Sequence, residues 1–180
     1  TLSVGSHTIT ASYEGDSFYG TGVSIALSQS VNQASSTTTI ASNTNPSEYG
    51  NTIVFTASVT TGLSTQPTGT VTFYDGATQI GSGTLNSSGT TTFSTNLLSV
   101  GSHAITANYN GDVNFTSSTS SSLTQAVNAA DTTTSISCSV NPAVFGQSVT
   151  FTAVVSSSIT DTPTGTVIFT DGSTQIGTGT

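Results

Sequence analysis

The residues able to do chemistry in this chain are few, and they recur. His7 and His103 are its two histidines, and each closes the string Val-Gly-Ser-His. Asp75 and Asp171 each precede a glycine, Asp16 and Asp112 each follow one, and Cys138 is the one thiol. A histidine could act as a general base beside a serine and a carboxylate, or bind a metal among other imidazoles and thiols. Ser102 adjoins His103, but neighbours along a strand face opposite sides, and His7 lies a whole repeat away. Both histidines are therefore expected to be structural. Oxygen-rich loops could hold calcium, yet no run of carboxylates has the spacing of a calcium loop. The linker near Val127–Asp131 carries one Asp, and Ser35 replaces it in the preceding linker. No catalytic residue, metal or cofactor is expected.

Asp75-Gly76, Asp171-Gly172 and Gly111-Asp112 read as turns. Cys138 stands where Ser42 stands one repeat earlier, and is expected to be a buried, inert thiol. Asn86-Ser87-Ser88 and Asn114-Phe115-Thr116 fit the N-glycosylation pattern. Chance supplies such matches readily where about two residues in five are Ser or Thr. Sugar sites combine exposed aromatics with polar groups, which makes Tyr49 and Tyr74 the candidate ligand contacts. Their counterparts one repeat on are Phe145 and Thr170. Tyr74 is expected to face outward, by parity with an inward Phe73.

These residues hang on a repeating frame. An offset of 96 maps Val4–His7 onto Val100–His103, Gly15-Asp16 onto Gly111-Asp112, and Phe73–Gly76 onto Phe169–Gly172. No gap is needed, and 42 of the 84 residue pairs between 1–84 and 97–180 are identical. The expected organisation is a complete unit at 35–128, the C-terminal part of a unit at 1–34, and the N-terminal part of a third at 129–180. Period-2 alternation predicts half-buried strands. Ile53, Phe55, Ala57 and Val59 share one face, as do Val71 with Phe73, and His103 with Ile105, Ala107 and Tyr109. Further strands are expected near 37–43, 78–85, 90–97 and 123–127. About seven short strands per repeat of 96 residues predict an all-β fold of tandem immunoglobulin-like β-sandwiches, with no helices.

The composition narrows function by exclusion. Lys plus Arg is zero and the formal net charge is −8. Nucleic acid needs cations that release its counterions, so it is not an expected partner, and anionic membrane surfaces are disfavoured likewise. No 18-residue apolar run is present, so no membrane insertion is expected in these residues. No segment reads as a signal peptide, so secretion must rest on composition and resemblance. Surface salt bridges are not expected, which costs little, since exposed ones contribute about 0–1 kcal/mol each.

The strings Pro67-Thr-Gly-Thr-Val71-Thr-Phe73-Tyr-Asp75-Gly76 and Leu98-Ser-Val-Gly101-Ser-His103-Ala-Ile105-Thr-Ala107-Asn-Tyr109-Asn-Gly111-Asp112 resemble the bacterial Ig-like domain repeat. That resemblance implies seven-stranded sandwiches in tandem in large exported bacterial proteins, serving as stalks and spacers, with no catalytic residues to carry over. The total lack of Lys and Arg departs from ordinary members. The expected role is a structural module of a secreted or cell-surface protein, not an enzyme, assembled with adjacent repeats or other copies of the same chain. The alternative is an adhesin-type module gripping a carbohydrate or a cell-surface protein.

Overall fold

The structure, a computed structural model, describes residues 2–180; Thr1, the counterpart of Leu97, lies outside the described residues. It is all-β among the described residues. The first stretch carries β1 (Gly5–Ile9), β2 (Ser12–Tyr13), β3 (Gly22–Val23) and β4 (Leu27–Val31). The middle carries β5 (Ser36–Ser42), β6 (Ser47–Glu48), β7 (Ile53–Thr61), β8 (Thr70–Asp75), β9 (Thr78–Thr84), β10 (Thr90–Thr95), β11 (Gly101–Tyr109), β12 (Ser118–Thr119) and β13 (Leu123–Asn128). The last stretch carries β14 (Thr132–Cys138), β15 (Phe151–Ser157), β16 (Val167–Asp171) and β17 (Thr174–Gly179).

In the middle stretch two sheets face each other. One has the order β10-β7-β5; the other runs β6-β13-β11-β8-β9, with β12 also on β11. Both are antiparallel except for the short parallel pairing of β6 with β13. The pleat sends alternate side chains to opposite faces. On β7, Ile53, Phe55, Ala57 and Val59 are at most 1% exposed, and on β11 Ile105, Ala107 and Tyr109 are fully buried. The seven strands expected in this stretch all form. The two-residue strands β6 and β12 are additions that period-2 counting is too coarse to find.

Phe73 of β8 packs against Phe93 of β10, ring centroids 5.6 Å apart and tilted by 30°. The β8–β9 hairpin leaves no room over that ring, because a Cβ on Gly81 would lie 2.3 Å from Phe93. A glycine is needed there for close approach.

The outer stretches repeat half the pattern each. β1 pairs with β4 in the register in which β11 pairs with β13: His7 is opposite Gln29 as His103 is opposite Gln125. β14–β15 and β16–β17 are two hairpins. Their apolar residues stay partly open: Phe151 is 46% exposed and Ile9 40%, against 0% at the equivalent Phe55 and Ile105.

Candidate functional site

His103 sits at the inner-face parity of β11, near the end of the strand, facing Asp75 at the end of β8. Its Nδ1 donates to Asp75 Oδ2 at 2.7 Å and its Nε2 donates to the Ser99 carbonyl at 2.8 Å. A carboxylate and a carbonyl can only accept, so the pair of contacts favours a ring with both nitrogens protonated. Burial opposes that charge, yet the bonds to Ser99 and Asp75 outweigh it and raise the histidine pKa. The expectation of no surface ion pair is thus corrected: His103–Asp75 is one, formed without Lys or Arg. With both nitrogens committed, His103 has no lone pair to accept a proton. The expectation that it is structural agrees with this geometry. His7 repeats half of it, donating from Nε2 to the Ser3 carbonyl at 2.8 Å.

The sign of the linkage follows from the raised pKa. Stability from His103 is complete below its ordinary value of 6.5 and is lost as pH rises through the higher folded value. The wild-type urea midpoint should therefore fall between pH 5.5 and 8.5. The fall should be worth about 1 kcal/mol or less, as for a partly exposed pair, and should vanish in His103→Gln.

Asp112 closes the other end of the sandwich. Its Oδ1 accepts from the backbone N–H of Asn114 and Phe115 at 2.8 and 2.9 Å. Its Oδ2 accepts from the N–H and the hydroxyl of Thr68, both at 2.8 Å. Burial alone would raise its pKa; these four bonds together lower it. Tyr109 is fully buried close by, and burial with the adjacent Asp112 charge pushes its phenol up to about 12. Both Asp112 oxygens are occupied by N–H and O–H donors, which leaves little for a cation. Among the described residues no group of three His, Cys, Asp or Glu side chains could hold a metal ion. We expect EDTA to leave the thermal midpoint unchanged; a fall of several degrees would bring calcium back.

The remaining candidates separate. Asn86 is exposed, but it organises the β9–β10 turn: Oδ1 accepts from the N–H of Ser88 and Thr90, and Nδ2 donates to Thr90 Oγ1 at 2.8 Å. A glycan on that nitrogen would compete with the turn. Asn114 is exposed and spends only its backbone, its N–H on Asp112 and its carbonyl on Ala34. Tyr74 is half-buried, with Thr106 and Gln79 opposite it on the flanking strands. Cys138 is exposed, which corrects the expected buried thiol. Its strand β14 pairs with β15 alone among the described residues, and every residue of that strand is exposed.

Sequence reasoning missed the contact between repeats. Tyr49 donates from its hydroxyl to Asp161 Oδ2 at 3.2 Å. Beside it the Ile159 side chain lies 3.2 Å from where a Cβ on Gly50 would stand, at a backbone φ of +82°. The β15–β16 connection of one repeat thus rests on the base of the repeat before it. The repeat alignment carried part of the signal: Leu63 and Ile159 are equivalent, each the one large apolar residue in an otherwise polar connection.

The family model described as bacterial Ig-like domain (group 3) matches residues 38–128. Among solved structures, the fibronectin(III)-like modules of CbhA from Clostridium thermocellum align at 19% identity with a TM-score of 0.40, covering 77% of this chain and 72% of that one. A comparison with curated proteins finds no match.

Proposed function

This chain belongs to the bacterial Ig-like domain family, group 3, and on that premise we propose that it is a non-catalytic spacer of an extracellular bacterial protein. Its sandwiches would stand in tandem as a stalk or filament. The observation that carries this reading is the contact between repeats, where Ile159 rests on Gly50 and Tyr49 bonds Asp161. A spacer needs consecutive modules held at a set angle, and a hydrogen bond beside an apolar seat resists bending there. The committed nitrogens of His103 and the occupied oxygens of Asp112 support it further, since both groups serve the fold.

Small-angle scattering on the intact chain tests the reading. It should give an elongated particle whose maximum dimension grows more variable when Ile159→Ser removes the apolar seat. A compact particle, indifferent to that change, would refute it. The adhesin alternative rests on Tyr74, whose half-buried ring offers a small face. Binding on a glycan array, lost on Tyr74→Ala, would replace the spacer reading with that one.

A further inference from the structure

We propose that the cleft where one repeat meets the next binds a short, neutral saccharide, held by Tyr49 and Asn96 of the middle sandwich and by Asp161 of the repeat that follows. This goes beyond the spacer reading, which asks of the junction only that it hold an angle.

The cleft has a volume of about 420 Å³, toward the lower end of the roughly 300–1,000 Å³ of small-ligand sites. The base of the middle sandwich supplies one wall, through Tyr49 and Gly50 after β6 and through Asn96 and Leu97 between β10 and β11. The β15–β16 connection supplies the other, through residues 158–161. Its counterpart in the complete middle sandwich, residues 62–66, is exposed too, so access to this loop is a property of the module.

Holding an angle needs less than the junction contains. The apolar seat recurs between repeats, with Leu63 standing where Ile159 does, but Thr65 stands where Asp161 does. Leu97 is apolar yet 86% exposed, and it lines the cleft together with the half-buried ring of Tyr49. The Tyr49 hydroxyl donates to Asp161 Oδ2 at 3.2 Å, which orients the carboxylate and leaves Oδ1 open. Among the described residues the side chains of Asn96, Ser158 and Thr160 make no hydrogen bond. An amide, two hydroxyls and a carboxylate oxygen thus border one space uncommitted.

Charge selects the ligand. Lys plus Arg is zero, so no such cation offsets Asp161 against an anion. A cation would meet a single exposed carboxylate, a pairing worth about 0–1 kcal/mol. A sugar suits every group present. Its hydroxyls can donate to Asp161 Oδ1 and Asn96 Oδ1 and accept from Asn96 Nδ2, while its C–H face lies on Tyr49 and Leu97. Because the two walls belong to different repeats, the bound sugar also bridges the junction.

The test is the intact chain, fluorescently labelled, on an array of neutral and acidic glycans, followed by calorimetric titration with the best-bound soluble oligosaccharide. Neutral glycans should bind; sialylated and sulfated ones should not. Asn96→Ala should weaken binding about tenfold with an unchanged circular dichroism spectrum, and Asp161→Ala should abolish it. Asp161→Ala also loosens the junction, whereas Asn96 takes no part in the seat, so Asn96→Ala separates contact with the sugar from the angle between repeats. Tyr74→Ala should leave the affinity where it was. An array on which no neutral glycan binds overturns the proposal and leaves the spacer reading standing. Binding that Asn96→Ala leaves intact, or that Tyr74→Ala removes, overturns it as well. A chain that binds neutral glycans through Asn96 and Asp161 yet scatters as a compact particle would keep this proposal while ending the spacer reading.

Discussion

Replacing Phe73 by Ala should cost the middle sandwich about 3–5 kcal/mol, whereas Phe169→Ala should leave its unfolding midpoint where it was. The two phenylalanines occupy equivalent positions one repeat apart and belong to matching hairpins. Their surroundings differ. Phe73 is fully buried, with Phe93 against its ring and β7 and β11 on either side of the core. Phe169 lines an open cleft. Truncating the first removes transfer free energy and leaves a cavity; truncating the second enlarges an opening that water already reaches. Domains of this size are stable by about 5–15 kcal/mol, so Phe73→Ala brings the fold close to its limit. Urea titration followed by far-ultraviolet circular dichroism, on dilute protein, measures both. Equal losses at the two positions would mean that Phe169 is packed as fully as Phe73.

Much of this was legible in the residues, and what was not has physical causes. Alternation on Ile53–Val59 and His103–Tyr109 located the core because a two-residue period leaves no choice of face once one side is buried. The 96-residue offset carried the same strands onto the outer stretches. Burial did not transfer with them. Cys138 was expected inside because a free cysteine is among the most often buried residue types, yet a strand buries a face only when a second layer covers it. The His103–Asp75 pair was hidden by a separation of 28 residues, which becomes contact only through the β8–β11 register. Gln125 shows the same blindness. It is fully buried on β13 and donates to the Thr44 carbonyl, 81 residues away. Its amide nitrogen finds partners that only the fold supplies, the Thr44 carbonyl and the Ser47 hydroxyl, while its buried Oε1 is left without one.

Asp112→Ala should be the most damaging polar substitution, costing about 3 kcal/mol by removing four charge-assisted bonds, two that shape the β11–β12 loop and two that tie it to Thr68. Asp112→Asn should lose less, since Oδ1 can still accept from Asn114 and Phe115, while its new amide meets the Thr68 N–H donor to donor. Asp16 provides the control. It accepts from Phe18 and Tyr19 as Asp112 does from Asn114 and Phe115, but among the described residues no bond like those from Thr68 reaches it. Asp16→Ala should therefore leave the middle sandwich untouched. The acid limb of the stability curve follows from the same carboxylate. Because its folded pKa is lowered, its contribution is complete above the ordinary 3.8 and is lost only as pH falls through the lower folded value. His103 works in the opposite sense, complete below 6.5 and lost above. Both contributions are whole only between those two values, and repulsion from the net charge of −8 also eases as the carboxylates protonate. The wild-type protein should thus be most stable in mild acid, with a shallow decline toward alkaline pH and a steeper one in strong acid. In Asp112→Ala the steep acid limb should be blunted while the alkaline slope persists. A curve that peaks at alkaline pH, or an acid limb unchanged by Asp112→Ala, would show that neither group governs the pH dependence of this fold.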